Sequence, residues 1–365
     1  MSYPYIQRRK TRSVDVGGVT IGSDAPVSIQ SMTNTTTADA AATIDQVKAL
    51  ADAGADIVRV AAATPADTAA LGRIVQASPV PIVADVHFRF ARAIEAIQAG
   101  VAKIRLNPGN ISDRDEVLRV IAEAANANVA IRVGVNEGSI VSRTDDARRS
   151  ADLAAPLDEL MLLRLNEYLE VFQQADFHNV VLSAKSHDAV TTIAVNRRIA
   201  KRWDYPLHLG VTHAGTRQTG AIRSAAAMGA LLAEGIGDTM RISYAGDPVH
   251  EVTDACELLW SLRLKQRDRI ELIACPTCGR TMMDIAPVAE QITIALADIR
   301  KPITVAVMGC VVNGPGEADG ADVAICAGKD KAILYRRGQK LRSVPADQMV
   351  QAVVAEVRAL AKDSD

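Results

Sequence analysis

Three thiols and a carboxylate in the last quarter of the chain could hold a metal centre. Cys275 and Cys278 stand as C-x-x-C in "ACPTCGR", Cys310 ends an apolar run in "MGCVVNGPGE", and Glu317 closes that segment. The C-x-x-C unit is shared by zinc ribbons, iron–sulfur sites and redox pairs. A Cys-Pro-x-Cys-Gly turn is common in structural zinc knuckles, yet a ribbon needs a second C-x-x-C or a C-x-x-H, and the chain has neither. Three thiolates with a different fourth ligand suit a 4Fe-4S cluster better than a closed zinc site. Spacing alone leaves zinc and cluster both open. Cys256, on the apolar side of a helical pattern, reads as a small buried hydrophobe. Cys326 alternates like a strand residue and reads as core, with zinc ligation as its alternative.

A second set of reactive types lies earlier, at the ends of short apolar runs. In order these are Arg59, Asp85 with His87, Arg105 with Asn107, Arg132 with Asn136, Lys185, Thr212 with His213, and Arg241 with Ser243. Guanidinium forks bind phosphate oxygens in pairs, so several of them at one rim would suit a multiply anionic ligand. Any one of these arginines could instead pair with a neighbouring carboxylate. Asp85 is the evident acid among the run ends, too few for all of them.

The runs that carry these residues are strand candidates: 27–32, 56–62, 81–86, 102–106, 129–135, 179–185, 207–212 and 239–244. Ala-rich helical patterns separate them, and Gly54, Gly100 and Gly235 stand where left-handed helix stops are expected. Eight strand–helix units over about 250 residues is the count of a TIM-type (β/α)8 barrel, whose sites form at strand C-terminal ends. A doubly wound sheet has the same periodicity, but no G-x-G-x-x-G follows the first strand.

Beyond "LLWSLRLKQRDR" the pattern changes to a small α+β unit. Strands are expected at 270–274, 303–308, 322–326 and 331–335, with helices at 284–298 and 346–361. The expected division is a barrel domain over 1–264 and a cysteine-bearing domain over 265–365. A net charge of −2 argues against a nucleic-acid partner recognised through bulk charge. No window reaches the ~20 apolar residues of a membrane span, and the basic N-terminus lacks a signal-peptide core. Five cysteines, an odd number, argue against a disulfide framework and fit a cytoplasmic protein.

The runs "QSMTNT", "RLNPGN", "IRVGVN", "LHLGVT", "EGIGDTMRIS", "ACPTCGR" and "MGCVVNGPGE" together resemble the 4-hydroxy-3-methylbut-2-enyl diphosphate synthase family. They run in order from about residue 10 to 345, in the bacterial two-domain arrangement. The resemblance implies a barrel joined to a C-terminal iron–sulfur domain, in a head-to-tail homodimer. It also implies reductive ring opening of 2-C-methyl-D-erythritol 2,4-cyclodiphosphate, with electrons from reduced flavodoxin or ferredoxin. Matched position by position, Cys275, Cys278, Cys310 and Glu317 correspond to the cluster ligands. Arg59, His87, Arg105, Asn107, Arg132, Asn136, Lys185, Thr212, Arg241, Ser243 and Asn313 correspond to substrate contacts. Gly314 to Gly316 are expected to turn the chain so that Glu317 reaches the site of Cys310. One departure stands out: the family usually has Thr-Glu-Ala-Gly after the seventh strand, and this chain has "VTHAG". His213 thus stands where a proton-handling glutamate is usual, a role that imidazole chemistry permits. Without the resemblance, a zinc-stapled aldolase or isomerase acting on a sugar phosphate is the alternative, with Lys185 as a Schiff-base residue.

Overall fold

The computed structural model describes residues 6–86, 89–106, 114–141, 146–311 and 314–363. It comprises two compact units, Met1–Lys265 and Gln266–Asp365.

The first unit begins with a hairpin, β1 (Val14–Val16) and β2 (Val19–Ile21), paired antiparallel across Gly17-Gly18. Both glycines have positive φ, 59° and 90°, as a two-residue I′ connection requires. Eight parallel strands follow: β3 (Ser28–Met32), β4 (Ile57–Ala62), β5 (Ile82–Val86), β6 (Lys103–Leu106), β7 (Ala130–Asn136), β8 (Val180–Lys185), β9 (His208–Leu209) and β10 (Thr239–Met240). They pair in sequence from β3 to β8, and β10 lies between β3 and β9. The ring closes where Leu182 bridges Leu207 and the Leu182 N–H donates to the Pro206 carbonyl at 2.9 Å. Helices separate the strands, from Ala40–Ala53 to Pro248–Ser261. The expected TIM-type barrel is present, and Gly54, Gly100 and Gly235 adopt positive φ at helix ends.

Two-residue periodicity divides the strand side chains between two environments. Ile29, Val58, Ile82, Ile104, Ile131, Leu182, Leu209 and Met240 share the main core with helix residues such as Leu50, Leu71 and Leu165. Burying each such side chain contributes roughly 1.5–3 kcal/mol. The alternate positions face the barrel interior. At its floor Ile57, Val83, Ala130 and Val181 form a separate cluster with Val14, Val16 and Ile21, so the hairpin plugs that end. The last two strands are shorter than the expected 207–212 and 239–244. Backbone bonds from Arg241 N to Leu209 O (3.0 Å) and from Thr212 N to Ser186 O (3.1 Å) still extend the ladder beyond them.

The second unit is a five-stranded sheet in sequential order: β11 (Glu271–Ala274), β12 (Thr304–Met308), β13 (Val323–Ala327), β14 (Lys331–Arg336) and β15 (Gln339–Pro345). The first three strands are parallel and the last three antiparallel. Val305, Val307, Val323 and Ile325 pack in one core with Ile292, Val353 and Val357 of the helices Ala286–Ala295 and Met349–Asp363. On the opposite face Ala306, Met308, Ala324 and Cys326 cluster with Ala318 and Ala321. Strand β15 was not expected, because Gln339 to Ser343 are exposed and its sequence carries no buried alternation. The expected reversal at 314–316 is replaced by one helical turn, Gly314–Glu317, in which Ala318 N donates to Gly314 O at 2.9 Å. Proline fits a first helical turn because its φ is already helical and its missing N–H is not needed there.

Candidate active site

Reading the inward positions upward from the floor, the barrel turns from aliphatic to cationic. Arg59, Arg105, Arg132 and Lys185 project from β4, β6, β7 and β8, with Arg241 just beyond β10. Register explains their convergence: Met32 pairs with Arg59, Asp85 with Arg105, Arg105 with Arg132, and Asn136 with Lys185. Asp85 links two of these cations, Oδ1 to Arg105 Nη1 at 3.1 Å and Oδ2 to Arg59 Nη1 at 3.6 Å. Asn136, with its amide set so that the oxygen accepts, receives Arg105 Nη2 at 3.1 Å.

Two partners of this site were not expected from sequence. Glu251, from the helix after β10, accepts Arg241 Nη2 at 3.2 Å and the Tyr244 N–H at 3.0 Å. Burial pushes the Glu251 carboxyl up, while Arg241 opposes that shift. Met32 places its sulfur 2.9 Å from Arg59 Nη2 and 3.5 Å from Arg241 Nη1. Glu251 was hidden because it follows its strand by a loop and sits inside a helical pattern. Met32, by contrast, is marked by the two-residue alternation of β3.

The electrostatics follow from burying like charges together. Burial lowers Arg59 to about 10, with Asp85 countering and Arg241 and Arg105 adding to the fall. Burial, then Arg59 and Arg105, hold Arg132 well below the usual guanidinium range. Burial, then Arg132 and Arg59, hold Lys185 well below its ordinary range. Gly210 makes room for that ammonium: a Cβ there would lie 2.5 Å from Lys185 Nζ and 2.7 Å from Arg241 O. Such a chamber gains most from an anion that neutralises several cations at once.

Not every expected residue joins this cluster. Ser243 Oγ donates to Val211 O at 3.1 Å, and Thr212 is half-buried at the end of the seventh strand of the barrel. His213 is exposed, with φ of 52° in the left-handed region. His87, Asn107 and Asn313 lie outside the described residues, and Glu317 is described by its backbone alone.

In the second unit, Cys275 and Cys310 follow adjacent parallel strands at the same end, since Ala274 pairs with Val307. The Gly309 N–H donates to Cys275 Sγ at 3.2 Å. A Cβ at Gly309 would lie 2.8 Å from Thr281 Cγ2 and 3.4 Å from that sulfur, so only glycine allows the approach. Cys278 is exposed, and hydrogen bonds from Arg280, backbone first, hold its thiol below the usual range. Cys326 is buried beneath Gly314, and burial pushes its thiol up to about 11, with Cys310 and Cys275 adding to the shift. Cys256 lies in the barrel core. Among the described residues no three His, Cys, Asp or Glu side chains form a ready metal-binding group.

Comparison with known proteins agrees with this division of the chain. The GcpE TIM-barrel domain matches residues 11–256, and the GcpE protein C-terminal domain matches residues 271–359. A protein of Geobacter sulfurreducens named 4-hydroxy-3-methylbut-2-en-1-yl diphosphate synthase (flavodoxin) is 45% identical over 96% of this chain and 98% of its own length. Proteins of the same name from Cutibacterium acnes and Corynebacterium efficiens are 44% and 42% identical, each over 98% of this chain and over 93% and 94% of their own lengths. With both domains matched in order and relatives aligned over nearly their full length, the chain belongs to the GcpE family.

Proposed function

We propose that the chain carries out the reductive ring opening of 2-C-methyl-D-erythritol 2,4-cyclodiphosphate to 4-hydroxy-3-methylbut-2-enyl diphosphate, a step in making isoprenoid precursors. The observation that carries this reading is the cationic barrel rim, where Arg59, Arg105, Arg132, Lys185 and Arg241 face only Asp85 and Glu251 among the described acids. A cyclic diphosphate supplies the negative charge that such a chamber lacks. Arg59, Arg105, Arg132, Lys185 and Arg241 hold the phosphoryl oxygens, Asn136 orients the ligand beside Arg105, and Thr212 and Ser243 are assigned to the ligand by their motif positions. His87, Asn107 and Asn313 join this set by their motif positions.

The net change breaks two carbon–oxygen bonds, one opening the ring and one releasing hydroxide, which leaves as water. It takes up two electrons and two protons. Cys275, Cys278, Cys310 and Glu317 are the residues that would hold a 4Fe-4S cluster. Their chemistry fits: Cys275 and Cys310 leave neighbouring strands together, Gly309 N–H donates to Cys275 Sγ, and Cys278 is biased toward thiolate. When bound, such a cluster supplies electrons one at a time. A carboxylate in the set offers a harder, more exchangeable ligand than thiolate. His213, exposed in the loop after the seventh barrel strand, would deliver a proton where the family usually has glutamate. Flavodoxin is the proposed electron donor, and the proposed assembly is a head-to-tail homodimer in the cytoplasm. Among the described residues no helix is long and apolar enough to cross a membrane.

A zinc-stapled aldolase or isomerase is disfavoured. Family membership speaks against it, and Lys185 is surrounded by guanidiniums that suit an anion more than a carbonyl. The test is anaerobic turnover of the cyclodiphosphate with reduced flavodoxin, for this chain and for His213→Glu, alongside metal analysis. Brown protein with about four irons and measurable turnover is expected. Colourless protein with stoichiometric zinc, or an intact cluster with neither chain active, would overturn the assignment.

A further inference from the structure

One layer below the rim, the barrel interior is again polar where aliphatic side chains usually pack. Lys103 lies two residues below Arg105 on β6, and His208 two residues below Gly210 on β9. Thr239 pairs in register with both His208 and Ser28, which places three polar side chains on neighbouring strands at one level. Lys103, His208 and Thr239 are wholly buried. Among the described residues Lys103 Nζ, both ring nitrogens of His208 and Thr239 Oγ1 have no hydrogen-bond partner. Arg59 from β4, Arg132 from β7 and Lys185 from β8 act on this layer, and Arg132 is in turn among Arg105, Asp85 and Arg241, whose partner is Glu251. Asp85 is engaged by Arg59 and Arg105, and Glu251 by Arg241.

A buried ammonium or imidazolium amid like charges is forced toward its neutral form. An anion seated one layer above reverses that preference, because its field favours the protonated forms. We propose that anion binding at the rim is coupled to proton uptake by the buried pair Lys103 and His208, which thereby set the pH dependence of substrate affinity. This inference rests on the anionic substrate proposed above. Burial first, then Arg132 and Arg59, lowers Lys103 well below its ordinary range. Burial first, then Lys185, Arg132, Lys103 and Arg59, lowers His208 in the same way. The sign follows: groups neutral in the free protein and charged in the complex take up protons on binding. Affinity then falls as pH rises between the free and bound pKa values, by up to about tenfold per pH unit for each proton taken up.

The test is calorimetric titration of the full-length protein with methylenediphosphonate near pH 7.5, in buffers of different ionisation heat. Buffer-dependent heats equivalent to about one proton taken up per ligand are expected. Lys103→Met and His208→Asn should each lower that uptake, with circular dichroism and melting curves confirming that both variants fold. Protons exchanged by the ligand itself are common to all three proteins, so the differences report the side chains. Uptake unchanged in both variants overturns the coupling while leaving the rim assignment intact. Absence of binding to the wild type would overturn the rim assignment and the coupling together.

Discussion

Replacing Asp85 by Asn removes the negative charge between Arg59 and Arg105 while keeping the side chain's shape. Asp85 is 4% exposed, 3.1 Å from Arg105 and 3.6 Å from Arg59. Breaking a buried pair by neutralising one partner costs about 3–5 kcal/mol, and the retained amide oxygen places this change near the lower end. In a unit of this size each kcal/mol moves the melting temperature by about 2–4 °C, so a fall of roughly 6–12 °C is expected in the ligand-free protein. Without Asp85, Arg59 also loses the larger of the two interactions that raise it, and falls further below its present value of about 10. A bound polyanion takes over the missing charge, so methylenediphosphonate should raise the melting temperature of Asp85→Asn more than that of the wild type. Differential scanning calorimetry with and without the ligand measures both quantities. A fall below about 2 °C, or equal ligand shifts in the two proteins, would refute the view that Asp85 balances the rim.

Gly210→Ala puts a methyl group 2.5 Å from Lys185 Nζ and 2.7 Å from Arg241 O, and the backbone oxygen cannot yield as the lysine can. A cost of about 1–3 kcal/mol in stability is expected from such overpacking. Displacement of Lys185 should also weaken diphosphonate binding at least about tenfold, read by calorimetry. For His208, the folded pKa lies well below its ordinary value of 6.5, so below that pH the unfolded chain binds more protons than the folded one. Its contribution to stability is therefore complete above the unfolded pKa and falls on acidification, with a slope of up to about 1.4 kcal/mol per pH unit. Urea melts from pH 7 to 5 should show this slope in the wild type and less of it in His208→Asn. Identical profiles would contradict it.

Much of the barrel was legible because its strands alternate two kinds of residue. In "IVRVAA" and "KIRL" an aliphatic residue packs on the helices while the next, an arginine, enters the barrel, so strand and rim cation were read from one pattern. That alternation also reaches Lys103 and His208, whose importance emerges only when neighbouring strands are set side by side. Glu251 could not be reached in this way, because its approach to Arg241 depends on the angle at which a helix follows β10. The N-terminal hairpin escaped notice because three-residue strands carry too little periodicity. It is held by the apolar floor formed by Ile57, Val83, Ala130 and Val181.

By itself the sequence determined which residue types occupy each strand position, and so the eight-fold alternation, the cations and the spaced thiols, since these depend on local period and motif alone. Tertiary structure decided where those side chains meet. Closure through Leu182 and Leu207 brings β8 beside β9, so that Lys185 fills the space left by Gly210. The Gly314–Glu317 segment became a helical turn over Cys326 because Pro315 suits a first turn and Gly314 packs closely on that sulfur, where a Cβ would lie 3.0 Å away. Burial then turned a list of basic residues into a coupled electrostatic unit, because like charges removed from water shift one another in ways that no single position reveals.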